Sequence, residues 1–373
     1  MLLVCLSFLY LPFRGRAIQK CAPKRIAVIS PTGNIGDMVC ITPILRAIKK
    51  HNSVIEVVVI GTKQNGVLLS HNDDVDVYLD VSKSFWSLVR QLRLLHIDAG
   101  VVINMDTTNV AMFFLANIGS ISCLTLDEVY KKYEAKPYRL VSLLVHRVSF
   151  SPGAYLPRVY LGLLAPFGIV LCDAVKRLGY DSDSLERVKN ELSKLGINDA
   201  HTLIAIAPGA GSDLKRWPAK RFATIANLLY KKYGAPIAII GGPHDQDAVN
   251  EMIKKLDVET VYWNPGPQSM GALKATLYCS LLTIGNDSGA IHVAEALGSA
   301  TVTIAGATSV GEHMEEDMTH RILYSTVGGT TYHAYIGDES VMDPALSRRQ
   351  MEAITSDSVM SCVCEVLSQK GIV

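Results

Sequence analysis

Charge is scarce in this chain of 373 residues. Asp, Glu, Lys and Arg make up 19% of it, and the formal net charge is +1 at pH 7. With no basic excess to neutralise a phosphate backbone, nucleic acid is excluded as the main partner. Aromatic residues are thin at 7%, yet hydrophobic residues reach 49%, which leaves no room for extensive disorder. The eight cysteines, at 5, 21, 40, 123, 172, 279, 362 and 364, include no C-x-x-C pair. Their scatter argues against a disulfide framework or a zinc site and fits a reducing compartment. Low-complexity tracts and short repeats are missing too. The apolar N-terminal run MLLVCLSFLYLPF falls short of the roughly 20 residues that span a bilayer. Its first cation is Arg14, followed by Arg16, Lys20, Lys24 and Arg25. A secretory signal carries charge ahead of its apolar run. Residues 1–23 are therefore expected to be an interfacial anchor, with a basic flank on anionic lipid. A cleaved signal and a segment packed on the protein are the alternatives.

What is present is alternation. Residues 25–30 (RIAVIS), 54–60 (VIEVVVI) and 99–104 (AGVVIN) are β-branched runs of the kind expected of parallel strands buried on both faces. Ile41, Ile44, Leu45 and Ile48 fall at helical spacing between the first two. Pro43 either kinks that helix or starts its regular part behind a Thr42 cap. After residue 130 the pattern thins. Lys131, Lys132, Lys136, Arg139 and Arg147 are interleaved there with Tyr130, Tyr133 and Tyr138. A helix over 158–164 and a linker over 166–183 precede a second α/β run. Its strands are expected at 203–207, 236–240, 281–284 and 301–305, and its helices at 220–233, 245–256 and 356–368. This βαβ order implies doubly wound sheets, and the length suits two domains. The expected architecture is two similar α/β halves facing one another across a cleft. The divisions are 1–23, an N-terminal domain at 24–165, the linker at 166–183, a C-terminal domain at 184–350 and a closing helix at 351–373.

Two loops of the second half carry the chemistry. IGNDSGAIHVAEALG, residues 284–298, runs from a strand through a turn into a helix. The first N–H groups of a helix lack intrahelical partners and sit at its positive end. With Gly289 allowing close approach and with Asp287 and Ser288 beside it, this element reads as a phosphate cradle. The loop APGAGSDLKRWP, residues 207–218, offers Lys215, Arg216 and the Ser212 hydroxyl to the same oxygens, with Gly209 shaping its turn. Together they suggest a pocket for a nucleotide diphosphate. Asp245, after Gly241-Gly242-Pro243-His244, either accepts from ribose hydroxyls or belongs to an ordinary strand-to-helix turn. In the first half, SPTGNIGD (30–37) has Gly33 and Gly36 at the last two places of a dinucleotide fingerprint. Pro31 stands at the first place, and the second strand ends without the ribose-binding carboxylate. A tight loop presenting Asp37 at the carboxyl edge of a sheet is the better reading, with helix capping as the plain alternative. His292 reads as a core histidine, and no metal site is expected.

These pieces in this order resemble glycosyltransferase family 9, the ADP-heptose:lipopolysaccharide heptosyltransferases. The resemblance rests on RIAVIS (25–30), Gly36-Asp37, TPILRAI (42–48), Pro208-Gly209-Ala210, KRWP (215–218) and Arg221-Phe222. It continues through Gly241-Gly242-Pro243, GNDSGAIH (285–292) and Ala353 to Val359. It runs from about residue 24 to residue 367. It implies a GT-B architecture of two Rossmann-like domains with the active site between them, and transfer with inversion at the sugar. On that likeness Asp37 is the general base. Lys215 and Ser212, with the amides of Ser288 and Gly289, hold the donor diphosphate and stabilise the leaving group, so no metal or other cofactor is required. Asp287 faces the sugar hydroxyls or caps the helix.

The implied donor is an ADP-sugar, with ADP-heptose leading. The acceptor is a lipid-linked or polysaccharide glycan whose acidic groups Lys132, Lys136 and Arg139 would meet, or else that stretch is a solvated loop. The place is cytoplasmic, peripheral on the inner face of the cytoplasmic membrane. The chain departs from the family in two respects: residues 326–351 lack the cysteines often seen there, and Gly211 stands where some members carry a hydroxyl. A sugar-nucleotide epimerase of similar fold and a nucleotide-sugar-binding protein without catalysis are the competing readings.

Overall fold

The β-branched runs fold as two sheets of six parallel strands, one in each of two units, Met1–Arg177 and Leu178–Val373. This computed structural model describes residues 1–10, 23–30, 32–170, 173–197, 202–306, 308–329, 333, 335–336 and 343–371. Parts of the expected anchor (11–22) and linker (171–172), and Pro31, lie outside the described residues.

In the first unit the strands are β1 (Arg25–Ile29), β2 (Glu56–Gly61), β3 (Val77–Asp80), β4 (Ala99–Val102), β5 (Ser120–Leu126) and β6 (His146–Phe150). They lie in the order β3-β2-β1-β4-β5-β6. Val28 of β1 pairs with Val59 on one side and Val101 on the other, and all three are fully buried. Burial on both faces is what a run of β-branched residues with no polar alternation demands. The helices are α1 (Leu2–Tyr10), α2 (Ile35–Cys40), α3 (Thr42–His51), α4 (Lys63–Leu68), α5 (Phe85–Leu94), α6 (Thr107–Leu115), α7 (Lys136–Ser142) and α8 (Leu156–Gly162).

One expectation changes here. Thr42 is the first residue of α3 and not its cap, which is Ile41. Its hydroxyl donates to the Val39 carbonyl at 2.8 Å and accepts from the Arg177 N–H at 3.1 Å. The apolar start of the chain forms α1, which packs on α6 and α7, with Val4 and Ser7 buried and Tyr10 edge-on to Phe114. Among the described residues it is thus a segment seated on its own domain, although its outer side stays exposed.

The second unit repeats the topology. Its strands are β7 (Ile204–Ala207), β8 (Ile237–Ile239), β9 (Tyr262–Trp263), β10 (Leu282–Asn286), β11 (Ala300–Ala305) and β12 (His320–Tyr324). The order is β12-β11-β10-β7-β8-β9, so the first strand again lies between the second and the fourth. The helices are α9 (Ser182–Lys194), α10 (Ala219–Tyr233), α11 (Gln246–Ile253), α12 (Met270–Cys279), α13 (Gly289–Ala296), α14 (Pro344–Ala353) and α15 (Ser356–Gln369). The end of the chain is two helices broken at Ile354-Thr355, where Thr355 caps α15 through the Ser358 N–H. Val359, Val363, Val366 and Leu367 of α15 join the core under β10 and β11. Each such side chain contributes about 1.5–3 kcal/mol by leaving water, which fastens the last helix to this unit.

Candidate functional site

In an open parallel sheet the loops part company where the strand order reverses, leaving a crevice beyond the carboxyl ends of those strands. In the second unit that point lies between β7 and β10. Ala207 and Gly285 are paired across the sheet, so residues 208–217 and 287–289 leave it side by side. The fit is close: a Cβ on Gly285 would stand 2.9 Å from the Ala207 carbonyl oxygen. Asn286, fully buried at the end of β10, then ties the two loops together. Its Nδ2 donates to the carbonyls of Pro208 (2.9 Å) and Gly209 (3.2 Å), and its Oδ1 accepts from the Trp217 N–H at 2.9 Å. Trp217 is itself buried. Its indole N–H donates to the Ile354 carbonyl, and its ring meets Phe222 edge-on at 4.9 Å. The structural role expected of Trp217-Pro218 is therefore visible in detail.

With the loops fixed, Lys215 Nζ lies 3.6 Å from Asp287 Oδ2, at the entry to α13. His292 Nε2 lies 3.6 Å from Asp287 Oδ1, and the Thr308 hydroxyl donates to Oδ2 at 3.1 Å. Burial pushes the Asp287 carboxyl up. The His292 imidazole and the Lys215 ammonium, with His313 behind them, outweigh that and hold it well below the usual carboxylate range. Asp287 is thus a charged hub with partners at both oxygens. Ser288 is the N-cap of α13 in extended conformation, and its side chain makes no capping bond. Its buried Oγ has no hydrogen-bond partner among the described residues. A helix start, an uncommitted hydroxyl and an ammonium within one turn make a site for an anion.

Ser212 caps a short 3-10 turn, accepting from the Leu214 N–H at 3.3 Å, which leaves its own proton to donate. Arg216 bonds within the loop, 2.7 Å from Asp213, and lies 3.9 Å from Asp245. Asp245 reaches the same neighbourhood because β8 is the neighbour of β7. Its carboxylate accepts from the Gly242 N–H at 2.9 Å and sits where a Cβ on Gly209 would be, 2.1 Å away. Gly209 is therefore required by close approach. Asp245 thus holds its own turn and lies beside Arg216 at the mouth of this loop.

The first unit has its own switch point, between β1 and β4. Asp37 lies there in the first turn of α2, half-buried, and its Oδ2 accepts from Asn34 Nδ2 at 3.2 Å. Asn34 is the cap residue, so Asp37 is not. Gly33 meets nothing within 4 Å and is not among the glycines with positive φ, so neither packing nor backbone demands glycine there. Lys132, Lys136 and Arg139 follow β5, whose carboxyl end lies on the same edge of the parallel sheet as that of β1. They lie beyond β5 on the turn at Lys131–Tyr133 and on α7, and Arg139 is occupied by the carbonyls of Glu134 (3.1 Å) and Lys132 (3.4 Å).

Sequence reasoning missed Asn286, Thr308 and His313. An asparagine inside Gly-Asn-Asp-Ser-Gly reads as a turn residue, and its true partners lie 69 to 78 positions away. Thr308 had no local signal. His313, 6.0 Å ring to ring from His292, has no signal near it in the sequence either. Among the described residues no group of three or more His, Cys, Asp or Glu could hold a metal ion.

Comparison with known proteins points the same way. Residues 161–321 match the family model described as glycosyltransferase family 9 (heptosyltransferase). Lipopolysaccharide heptosyltransferase 3 of Escherichia coli strain K12 is 23% identical over 287 residues, 73% of this chain and 80% of that protein. The solved glycosyl transferase family 9 protein of Veillonella parvula superposes with a TM-score of 0.73 at 17% identity, covering 93% of this chain and 98% of the other. E. coli heptosyltransferase WaaC, solved with ADP-2-deoxy-2-fluoro heptose, gives 0.66 at 13% identity over 91% and 99%. At such identities the superpositions speak for the fold, which is GT-B with two Rossmann-like domains.

Proposed function

We propose that this chain, a glycosyltransferase of the heptosyltransferase-like, family 9 kind, transfers heptose from ADP-heptose to a lipopolysaccharide-core or related surface glycan, with inversion at the sugar. One observation carries the donor half of this reading: Lys215 and the start of α13 converge on Asp287 although 72 residues of sequence separate Lys215 from it. In the proposed reaction the diphosphate lies on the N–H groups of Ser288 and Gly289, with Ser212 and Lys215 on its outer oxygens. Asp287 positions Lys215 and does not touch phosphate. As the glycosidic bond breaks, negative charge grows on the departing diphosphate. The ammonium and the helix start stabilise that charge without a metal or cofactor. Asp37 takes the proton from the acceptor hydroxyl as its oxygen attacks the anomeric carbon, a step that ordinarily contributes about 10²–10⁴-fold. E. coli WaaC, solved with an ADP-heptose analogue, supports ADP-heptose as the donor here. The proposed place of work is the inner face of the cytoplasmic membrane, where a lipid-linked acceptor is presented.

Thermal unfolding with ADP, UDP, GDP and CMP tests the donor. ADP at a hundredfold excess over its Kd is expected to stabilise the protein by about 2.7 kcal/mol. Lys215→Ala should erase most of that gain, and it should also lower the melting point without nucleotide, because it takes away one of the cations that hold the Asp287 carboxylate charged. Equal stabilisation by all four nucleotides would leave a diphosphate site but sink the adenine assignment. No stabilisation by any of them would sink the site.

A further inference from the structure

The helix α1 has no charged residue, and yet it lies on the surface. Its inner side is accounted for: Val4 is in the core of the first unit, with Leu3 and Tyr10 packed against it. Its outer side carries Met1, Leu2, Phe8 and Leu9, with Leu2 74% and Leu9 69% exposed. The neighbouring helix continues the surface. On α7 the positions 136, 139, 140 and 143 share one face at helical spacing, opposite Tyr138, Val141 and Ser142, which are buried. That face presents Lys136, Arg139, Leu140 and Leu143, and both leucines are exposed. Beside it, a groove of about 620 Å³ is lined by Lys131, Arg139, His146 and Arg147 together with the same two leucines. The acidic side chains of that groove are engaged. Glu134 accepts from the Leu126 N–H at 2.6 Å, and Glu128 pairs with Lys131 at 2.7 Å.

We infer that the outer faces of α1 and α7 form a surface that seats on an anionic lipid bilayer, α1 lying in the interface while it stays docked to its domain. The inference deepens the membrane part of the function proposed above and rests on that reading for the lipid-linked acceptor, but the surface stands on its own geometry. At 1.5 Å per residue the nine residues of α1 extend about 14 Å, less than half the hydrocarbon thickness of roughly 30 Å, so α1 lies along a membrane and does not cross it. A bilayer suits this face better than a second copy of the chain. An isologous pairing puts the same patch on both sides of the interface, so Lys136 and Arg139 would share it with the identical cations of the second copy. An anionic headgroup layer meets that basic rim with opposite charge while the leucines and Phe8 enter the acyl boundary.

Flotation of the full chain with phosphatidylcholine vesicles, with and without phosphatidylglycerol, tests this. The chain is expected to rise with the anionic vesicles, to rise less with neutral ones, and to be partly released by high salt. Leu2→Glu combined with Leu9→Glu should abolish flotation while leaving the ADP-induced thermal shift unchanged, because both positions point away from the core. Lys136→Glu with Arg139→Glu should lower binding to anionic vesicles roughly tenfold or more, by the usual contribution of basic residues near such a surface. A parent chain that remains at the bottom of the gradient overturns the inference, as does a Leu2/Leu9 variant that floats like the parent. So does sedimentation that shows a parent dimer which this variant breaks into monomers, with no vesicle binding. Flotation needs neither donor nor transfer, so its failure leaves the transferase reading intact. Loss of transfer with flotation retained would indict that reading alone.

Discussion

The two switch points have the same topology and hold different groups. In the second unit, Asn286 makes three hydrogen bonds to loop 208–217, Trp217 fixes the far end of that loop, and Asp287 holds Lys215, His292 and Thr308. In the first unit the corresponding loop carries a half-buried carboxylate with Asn34 at 3.2 Å, its Thr32 carbonyl accepts from the buried Asn65 Nδ2 at 2.6 Å, and Gly33 has open space around it. One crevice sets a carboxylate among cations, and the other presents a half-buried carboxylate beside Asn34. On the proposed function the first would grip a diphosphate and the second would hold the base, so the same strand order would serve two tasks through its loops.

The sharpest attempt to break that contrast is Asp37→Asn. If the first unit's loop carries the base, turnover should fall by about 10³-fold while ADP affinity stays at the parent value, because the crevice of the second unit is untouched. Steady-state transfer together with calorimetric ADP binding checks both halves. Unchanged turnover would end the base assignment. An equal loss of ADP affinity would make Asp37 part of the grip and dissolve the division of labour.

Asp287→Asn probes the second unit's crevice, and pH supplies the sign. The folded carboxyl titrates below its ordinary value near 4. Its charged partnership therefore stabilises fully above about pH 4, and that stabilisation drains away as pH falls through the folded value. The variant should be less stable than the parent by about 2 kcal/mol at pH 7, with the gap closing below pH 4. Urea unfolding at a series of pH values reads this directly. A gap independent of pH would mean that Asp287 acts by packing alone.

How much of this was legible beforehand follows the range of the interactions. Strands β1, β2 and β4 were readable because burial on both faces enforces unbroken β-branched runs. Strand β6 was hidden: it is an edge strand opening with the exposed His146 and Arg147, so its residues read as basic surface. Helix α7 was lost in the same stretch. Lys215, Ser288 and Asp287 were nameable from local chemistry, and their convergence follows from the neighbour pairing of β7 and β10. Asn286 was not, since nothing near it in sequence reveals that Pro208, Gly209 and Trp217 lie within its reach. The double use of Thr42, as a helix residue whose hydroxyl also holds Arg177, is of the same long-range kind.

The smallest expected effect is also the cleanest comparison, since it uses one substitution in two loops. Gly209→Ala places a methyl 2.1 Å from the Asp245 carboxylate, so either the loop or the turn at Gly242 must shift. A cost of about 1–3 kcal/mol is expected from overpacking, with weaker ADP binding because Ser212 and Lys215 move with the loop. Gly33→Ala meets nothing within 4 Å at a position without a positive φ. It should change stability by no more than about 0.5 kcal/mol, and a small gain from a stiffer unfolded chain is the favoured direction. Chemical denaturation of both variants decides the matter. Should Gly33→Ala cost as much as Gly209→Ala, the first loop would be as tightly packed at Gly33 as the second is at Gly209, and the contrast between the two glycines would fail.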